Sequence, residues 1–290
     1  MGVLYIVATP IGNLEDITLR ALRVLREVKL IAAEDTRTTA KLLARYGINT
    51  HMVSFFEHNE LIRQDAILRA LRTQDVALVS EAGTPTISDP GYRLLQAVIA
   101  QGVPVIPVPG PSAVVAALAV SGLPTDSFLF LGFLPRRRAA RQRRLATVRD
   151  QPRTLVCFES PHRLLAALQD VLEILGDRKM AAACELTKMY EEVWRGTVSR
   201  ALAHFGQTRP RGEFTLVLAG AVGSGEPAWE EAKVRQALGK LVQSGVSRRD
   251  AAARVAEMAH WARRDVYRLA AQEPIYENAE EEGHAGAGCS

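Results

Sequence analysis

The sequence predicts an α/β protein with two successive α/β domains followed by a small helical domain. Over residues 1–122, short apolar runs alternate with stretches of helical periodicity, which favours a mainly parallel sheet covered by helices. Over residues 123–222, strand-like runs recur with fewer helical stretches between them, so we expect a mixed sheet. Residues 228–275 have helical periodicity alone, and residues 276–290 have the small, polar composition of a disordered tail.

Each element of the first domain follows from a local pattern. Four apolar runs predict buried strands, at residues 3–8, 30–33, 76–80 and 103–108. Apolar residues at helical spacing predict helices at residues 19–28, 38–46, 61–71 and 92–100. Residues 114–120 are apolar throughout, and we expect them to form a helix that closes the domain. The sequence Ser121-Gly122-Leu123-Pro124 then predicts the domain boundary.

The second and third domains are predicted in the same way. We expect strands at residues 128–133, 154–158, 180–186, 193–196 and 214–219. Residues 220–227 have the composition of a linker. Helices are expected at residues 229–241, 249–259 and 265–271, with Ser247 as the N-cap of the second one.

Composition narrows the class of protein. Of the 290 residues, 48% are hydrophobic and 23% are charged, as in an ordinary globular protein. Three cysteines lie far apart with no metal-binding spacing, so we expect neither disulfides nor zinc, and a reducing cytosol fits. Residues 94–125 contain no charge, but prolines and glycines interrupt them too often for a membrane helix. We therefore expect no membrane span, and no signal peptide because no basic region precedes the first apolar run.

Charge is distributed unevenly along the chain. The net charge is only +4, yet basic residues concentrate in residues 136–149 and 248–268, while residues 277–282 are acidic. Such clusters indicate either an anionic partner or solvated helix faces, and charge alone does not decide between them.

The common signatures of phosphate loops, dinucleotide binding, metal ligation and nucleophilic serine do not occur in the sequence. Instead, Gly/Pro-rich turns follow three of the predicted strands, at residues 9–13, 81–91 and 107–112. Ligands of open α/β sheets bind beyond the carboxyl ends of the strands, where such turns let the backbone approach closely. Each turn alone is better explained by an ordinary strand-to-helix connection, but three of them together predict a pocket.

Polar side chains also follow the predicted strands. Glu34, Asp35 and Arg37 follow the second strand, and His58 follows an aromatic pair. A carboxylate or an imidazole at this edge could act as a general base, whereas Asp35 could instead cap the next helix and His58 could be a surface residue. In the second domain, Lys188 follows a strand and could lie on the opposite wall of a cleft.

A series of short motifs occurs in order between Leu4 and Phe214: LYIVATPIGNLEDIT, AEDTRTT, FFEHNE, EAGTPTISDPGY, VPGPSA, SGLPTDSF, GFLP, ESPHR, ELTK and GEF. Together they resemble the ribosomal RNA small subunit methyltransferase I family, a branch of the tetrapyrrole-methylase fold. The resemblance covers nearly the whole chain except the acidic tail. Glu81 departs from the family's pattern, which has aspartate there, and Phe158 stands in place of a tyrosine.

The resemblance implies two α/β domains of tetrapyrrole-methylase type with S-adenosylmethionine in the cleft between them. It implies transfer of a methyl group to the ribose 2′-hydroxyl of a cytidine in small-subunit (16S) ribosomal RNA, by a cytoplasmic homodimer without a metal. The residues that match the family's cofactor contacts are Pro10, Gly83, Thr84, Pro85, Ser112, Ala113, Leu186, Thr187, Glu213 and Phe214.

For the substrate side we expect catalytic roles among Glu34, Asp35, Arg37, His58 and Lys188, because a base near the 2′-hydroxyl would assist the displacement. The candidate RNA contacts are Arg136, Arg137, Arg138, Arg141, Arg143, Arg144, Arg248 and Arg249. Either free RNA or the assembled small subunit fits as the substrate. Three alternatives stay open. The first is a methyltransferase of the same fold that acts on a tetrapyrrole, and the second is a non-catalytic RNA-binding assembly factor. The third is a nucleic-acid-binding module that uses residues 247–271 as a helix-turn-helix, although the pocket-forming turns argue against it.

Overall fold

The computed structural model describes residues 1–56, 58–208, 210–221, 229–259 and 261–272. The chain forms two compact units, Met1–Ala221 and Val222–Ser290. Both predicted α/β domains lie in the first unit, and the C-terminal helices lie in the second. The predicted tail, residues 276–290, falls outside the described residues.

The first domain contains a five-stranded parallel sheet in the order β3-β2-β4-β1-β5. Its strands are β1 (Leu4–Val7), β2 (Leu30–Ala33), β3 (Met52–Ser54), β4 (Val76–Val79) and β5 (Val105–Val108). The parallel sheet confirms the expectation from the sequence. The sequence does not predict the additional strand, β3, which has only three half-buried residues.

Helices cover both faces of this sheet. On one face lie α1 (Leu19–Glu27) and α2 (Thr36–Arg45), and on the other lie α3 (Glu60–Ala70) and α4 (Tyr92–Ala100). The neighbouring strands β1 and β4 therefore lead to helices on opposite faces. This divergence is a topological switch point, which opens a crevice at the carboxyl ends of the two strands.

The second domain contains a mixed sheet in the order β6-β7-β10-β8-β9, in which only β6 and β7 are parallel. Its strands are β6 (Phe128–Phe133), β7 (Thr154–Glu159), β8 (Lys179–Cys184), β9 (Glu192–Thr197) and β10 (Phe214–Leu218). Along β10, Leu216 and Leu218 face one hydrophobic cluster while Val217 faces another, as the two-residue period of a strand requires.

Different helices cover the two faces of the second sheet. One face packs against α6 (Arg138–Ala146), α7 (Leu164–Leu175) and α8 (Val198–Gln207). The other packs against α5 (Ala113–Ser121), through Val114, Ala117 and Leu118. We expected α5 to close the first domain, but its buried side chains pack on the second sheet.

The second unit consists of three helices in its described part, α9 (Glu231–Gln243), α10 (Arg248–Ala259) and α11 (Arg263–Gln272). Their core includes Val234, Leu238, Val255 and Val266. The hydroxyl of Ser247 accepts the Asp250 N–H at 3.1 Å, which confirms Ser247 as the N-cap of α10. In the described part of the whole chain, no helix is both long and apolar enough to cross a membrane.

Candidate active site

Three Gly/Pro turns meet at the carboxyl edge of the first sheet, and we call residues 9–13, 81–91 and 109–112 the floor of the site. Thr9 and Gly83 exchange two backbone hydrogen bonds, of 2.8 Å from Thr9 N to Gly83 O and 3.0 Å in return. The Thr84 hydroxyl donates to the Pro111 carbonyl at 3.4 Å. The turns are therefore bonded to each other at the switch point between β1 and β4.

The second domain contributes a turn of residues 185–188, which we call the wall. The Asn13 N–H of the floor donates to the Thr187 hydroxyl at 3.0 Å. A Cβ on Gly12 would lie 2.5 Å from Lys188 Cγ and 2.9 Å from the Leu186 carbonyl oxygen, so only glycine fits there. Floor and wall are thus in direct contact, and we call the crevice at the switch point beside them the cleft.

Lys188 anchors the wall through two carboxylates. Its ammonium lies 3.0 Å from Glu185 Oε1 and 3.0 Å from Glu213 Oε2. Although partial burial lowers the pKa of Lys188, the hydrogen bonds to these two carboxylates outweigh it and raise that pKa above its ordinary value. The raised pKa favours the charged form of Lys188 and makes it a poor candidate for a base.

Backbone strain concentrates in the floor and the wall. Four non-glycine residues of the described chain have positive φ, namely Thr86 (73°) and Ser88 (68°) in the floor and Glu185 (50°) and Thr187 (65°) in the wall. Such conformations cost about 1–2 kcal/mol per residue and persist where the surroundings impose them, which is common at functional sites.

Most of the expected cofactor residues lie in these two segments. Pro10, Gly83 and Pro85 are buried in the floor and Thr84 is half-buried there, whereas Leu186 and Thr187 are half-buried in the wall. Ser112 and Ala113 begin α5, and the Ser112 hydroxyl makes no capping bond to that helix.

Glu213 and Phe214 differ from one another. The Glu213 carboxylate binds Lys188 of the wall, and most of it is exposed. The Phe214 side chain is buried in the second-domain core with its ring 5.5 Å from that of Phe205. The Phe214 side chain therefore belongs to the second-domain core.

The carboxylates expected to be catalytic have structural partners. Asp35 caps α2, since its Oδ1 accepts the backbone N–H groups of Arg37 at 2.7 Å and Thr38 at 3.2 Å. These bonds lower the pKa of Asp35, which makes it a poor base. Glu34 Oε2 accepts the Glu81 N–H at 3.1 Å, so Glu34 is tied to the floor.

Arg37 and His58 lie at the surface. Arg37 is exposed on the first turn of α2, and His58 is exposed beyond the edge strand β3, with β2 and β4 between it and β1. The His58 ring meets the Phe56 ring edge-on, with centroids 6.3 Å apart. The surface interpretation of His58, left open by the sequence, is the one that matches this position.

Asp89 is the residue of the site that sequence reasoning missed. Burial, together with the charge of Glu34, raises the pKa of the Asp89 carboxyl to about 7. Burial and the charges of Asp35 and Glu34 also raise the pKa of Glu81. In the sequence, Asp89 precedes Pro90-Gly91 and looks like an ordinary turn aspartate, so no local signal marked it. Within the described residues, no cluster of three or more His, Cys, Asp or Glu side chains is arranged to hold a metal ion.

The basic cluster of α6 divides into two groups. Arg141 is buried and binds Asp170 of α7 with a shortest distance of 2.6 Å. Arg138 binds the same carboxylate at 3.1 Å and Glu173 at 3.0 Å. Arg141 therefore fastens α6 to α7, and the expectation that it contacts RNA is wrong because its guanidinium is inaccessible.

The remaining candidate arginines are more exposed than Arg141. Four are exposed around α6, namely Arg136, Arg137, Arg143 and Arg144. At the start of α10, Arg249 is exposed and Arg248 is half-buried.

Comparison with known proteins identifies the family. The model of the tetrapyrrole (corrin/porphyrin) methylases matches residues 3–202. The chain belongs to the tetrapyrrole methylase family. Within this family, a relative from Synechocystis sp. named ribosomal RNA small subunit methyltransferase I is 46% identical over 271 residues, covering 93% of this chain and 97% of the relative. A relative of the same name from Thermotoga maritima is 52% identical and covers 76% of this chain and 99% of its own length.

Solved structures of two methyltransferases share the fold. The uroporphyrin-III C-methyltransferase of Thermus thermophilus, solved as a complex with S-adenyl homocysteine, matches 75% of this chain and 97% of its own with a TM-score of 0.53 at 22% identity. The methyltransferase CobJ matches 79% of this chain and 98% of its own with a TM-score of 0.59 at 18% identity. These matches show that the chain shares the fold of these enzymes.

Proposed function

We propose that this chain transfers the methyl group of S-adenosylmethionine to the ribose 2′-hydroxyl of a cytidine in small-subunit ribosomal RNA. The observation that carries the proposal is its near-full-length identity to relatives named for methylation of that RNA, 46% over 93% of the chain for the Synechocystis protein. The cleft between floor and wall supports it, because it lies where α/β folds bind their ligands.

The residues of the cleft fit S-adenosylmethionine, which carries an ammonium and a sulfonium as well as a carboxylate. Four carboxylates lie around the floor and wall, those of Glu34, Glu81, Asp89 and Glu213. They influence one another, because burial and the charges of Glu34 and Glu213 raise the pKa of Glu81, and burial and the charge of Glu34 raise the pKa of Asp89. Opposite charges favour such a cationic ligand in a partly desolvated cleft. When bound, the cofactor supplies an activated methyl group.

The chain's own part in the reaction is mainly to orient its ligands. The hydrogen-bonded floor and the Asn13–Thr187 contact fix the position of floor and wall relative to each other. Holding the attacking oxygen, the methyl carbon and the sulfur in line removes an entropic barrier of about 7–11 kcal/mol in well-oriented systems. Lys188, as a fixed cation, orders the wall carboxylates rather than moving protons.

The exposed arginines around α6 supply the charge for an RNA partner. Arg136, Arg137, Arg143 and Arg144 contact phosphates, and Arg249 of the second unit adds a further basic position. Arg138 and Arg141 serve this surface indirectly, by holding α6 against α7. The protein acts in the cytoplasm as a homodimer, on free RNA or the assembled subunit.

A tetrapyrrole methyltransferase is the second candidate, and it is favoured only by the shared fold. Identity to the solved tetrapyrrole enzymes reaches 25%, against 52% to a relative named for ribosomal RNA. A non-catalytic assembly factor has no comparable support, since the cleft retains its charged residues.

Tritiated methyl transfer tests the proposal. Small subunits and free small-subunit RNA from a strain lacking the enzyme are each incubated with the protein and methyl-labelled S-adenosylmethionine, and the RNA is digested to nucleosides. Label in 2′-O-methylcytidine is the expected result, with subunits from the parent strain as the matched control that takes up none. Label on a base, label only on an added tetrapyrrole, or no transfer would each contradict the proposal.

A further inference from the structure

Phe133 ends β6, and a β-bulge sets the direction of its side chain. Phe130 pairs with Val156 of β7 and Phe133 pairs with Phe158, so β6 advances three residues where β7 advances two. Gly132, with a φ of +67°, adopts the left-handed conformation that such bulges use. Because side chains alternate along a strand, the extra residue turns Phe133 to the face of the sheet on which Phe158 lies.

On that face, Phe133 packs against the ring of Phe158. Their ring centroids are 5.3 Å apart, and the Phe130 ring supports Phe158 from another side at 5.0 Å. Phe158 is half-buried against the hydrophobic cluster under α5, whereas Phe133 is 58% exposed. We call Phe133 and Phe158 the aromatic platform, because an exposed ring backed by a second ring offers a firm apolar surface to a ligand.

The aromatic platform lies beside the cleft. A Cβ on Gly132 would lie 3.2 Å from the Ser88 hydroxyl oxygen, so the bulge packs closely against the floor. The strands β6, β7 and β8 run in the same direction, which places the platform and the wall at the same edge of the second sheet. Leu186 of the wall and Phe158 also pack against the same hydrophobic cluster. Floor, wall and platform therefore border one another.

Buried charges hold the backbone that follows Phe133. The Arg163 guanidinium donates to the Leu134 carbonyl and lies 3.0 Å from Oε2 of the buried Glu159. The buried Arg141 guanidinium donates to the Arg136 carbonyl at 3.4 Å. The segment between β6 and α6 is thus fixed before any ligand binds, which reduces the entropy lost on binding.

Exposed cations follow the platform within a few residues. Arg136 and Arg137 are the third and fourth residues after Phe133, and both are exposed. A ligand that covers this surface needs a flat ring for the platform and an anionic group for the arginines. A nucleotide of single-stranded RNA has both, since bases stack on aromatic side chains and arginines bind phosphates.

We propose that Phe133, supported by Phe158, stacks against the base of the RNA nucleotide that enters the cleft, an inference that rests on the proposed function. A nucleotide within a helix is stacked between its neighbours, and its ribose reaches a cleft only when the nucleotide turns out. The platform replaces the stacking that is lost. Because every base has a π face, Phe133 selects an unstacked nucleotide and does not itself choose cytidine.

The first test separates a ring from apolar bulk. Phe133→Leu is expected to lower kcat/KM for small-subunit RNA about tenfold or more, as for the loss of one stacked base, while Phe133→Trp keeps it within about threefold because it retains a ring. The control is Phe128→Leu, the same change at the other end of β6, where Phe128 is 41% exposed. It should leave methylation unchanged. Equal losses in Phe133→Leu and Phe133→Trp, or no loss in Phe133→Leu, would overturn the proposal.

The second test uses salt to distinguish stacking from a change in the arginines. Stacking is uncharged, so Phe133→Leu should weaken binding of small-subunit RNA without changing the slope of log affinity against log salt. Filter binding measures both quantities. A smaller slope in this variant would mean that phosphate contacts have been lost, and that Phe133 only supports the segment that carries Arg136 and Arg137.

The third test examines two other occupants of the platform. The adenine of the cofactor is also flat, so calorimetry compares Phe133→Leu and wild type for S-adenosylmethionine and S-adenosylhomocysteine. Equal affinities are expected, and loss of affinity for both would assign the platform to adenine. Light scattering should give the same molecular mass for the two proteins, and a lower mass in Phe133→Leu would assign the platform to a second copy of the chain. Either result would overturn the proposal.

These measurements keep the proposal apart from the function on which it rests. If the wild type methylates small-subunit RNA and Phe133→Leu does so equally well, the platform does not hold the base. If the wild type transfers no methyl group to RNA, the proposed function itself fails, whatever Phe133 contacts.

Discussion

Gly83 combines a special backbone conformation with a central place in the floor. Its φ is +81°, and its N–H and carbonyl form both hydrogen bonds of the bridge to Thr9. A Cβ there would lie 3.6 Å from Ile11 Cγ2 and 3.9 Å from the Pro111 carbonyl oxygen, which is ordinary contact. The requirement for glycine therefore comes from its φ and not from a lack of space.

Gly83→Ala should weaken binding of S-adenosylmethionine by about tenfold, since the strained residue shifts the bridge and about one hydrogen bond's worth of cofactor contact is lost. Gly102→Ala is the matched control. Gly102 also has positive φ (+69°), it has nothing within 4 Å of its Cβ position, and it lies at the other end of the sheet, between α4 and β5.

Both alanines should lower the free energy of unfolding by a similar amount, about 1–2 kcal/mol. Calorimetric titration then separates them, because only Gly83→Ala should lose cofactor affinity. Equal affinity in the two folded variants would remove Gly83 from the cofactor site.

At the residue scale, the sequence predicted where the polar groups gather but not what each one does. Asp35 could be a base or a cap, and its two bonds to backbone N–H groups of α2 decide for the cap. The pKa of Asp89 is raised first by burial in the folded loop and then by the charge of Glu34, which follows β2. Neither the burial of Asp89 nor its proximity to Glu34 can be predicted from the residues next to Asp89 in the chain.

At the element scale, the arginines of α6 differ in burial according to the face of the helix on which they lie. Arg141 faces α7 and is buried on Asp170, whereas Arg143 and Arg144 point outward. Removing one partner of such a buried pair strands the other charge and typically costs about 3–5 kcal/mol. Substitutions that test RNA binding should therefore leave Arg141 and Arg138 in place.

Changing Arg136, Arg137 and Arg144 together to glutamine should weaken RNA binding and reduce the slope of log affinity against log salt by about 2, as expected for three lost phosphate contacts. The control changes the exposed Arg20, Arg69 and Arg72 to glutamine, with the same loss of charge. Filter binding over a range of salt concentrations measures both. Equal slopes in the two triple variants would mean that the α6 arginines only solvate the helix.

The sequence located most elements to within a few residues, and its failures have local causes. The predicted helix at residues 92–100 agrees with α4, Tyr92–Ala100. The three residues of β3 are too few and too exposed to show a period. Because α5 is apolar on all sides, its periodicity could not indicate which sheet it covers.

At the scale of the whole molecule, the site and the C-terminal helices belong to separate units. Floor, wall and α6 all lie in Met1–Ala221. The Thermotoga relative matches 76% of this chain with 99% of its own length, so it has almost no sequence left for a counterpart of the rest. We infer that the first unit folds and binds the cofactor alone, and that the second unit assists with the large substrate.

A chain that ends at Ala221 should keep its affinity for S-adenosylmethionine but methylate small subunits about tenfold more slowly or worse, which corresponds to about 1.4 kcal/mol of lost binding. A chain that ends at Gln272 is the control, because it keeps α9, α10 and α11. Calorimetry and the tritium assay give the two readouts. Full methylation by the shorter chain would show that the helices are dispensable for substrate recognition.

The position of β1 in the sheet affects how the protein folds during its synthesis. β1 precedes the other strands in the chain, yet it pairs with β4 and β5, starting at Val76 and Val105. At a translation rate of about 5–20 residues per second, β4 and β5 are synthesised several seconds after β1. Parallel pairing between strands so far apart in the chain is also slow to form. The nascent chain must therefore shield an apolar segment, Leu4–Val7, until most of the first domain has been made.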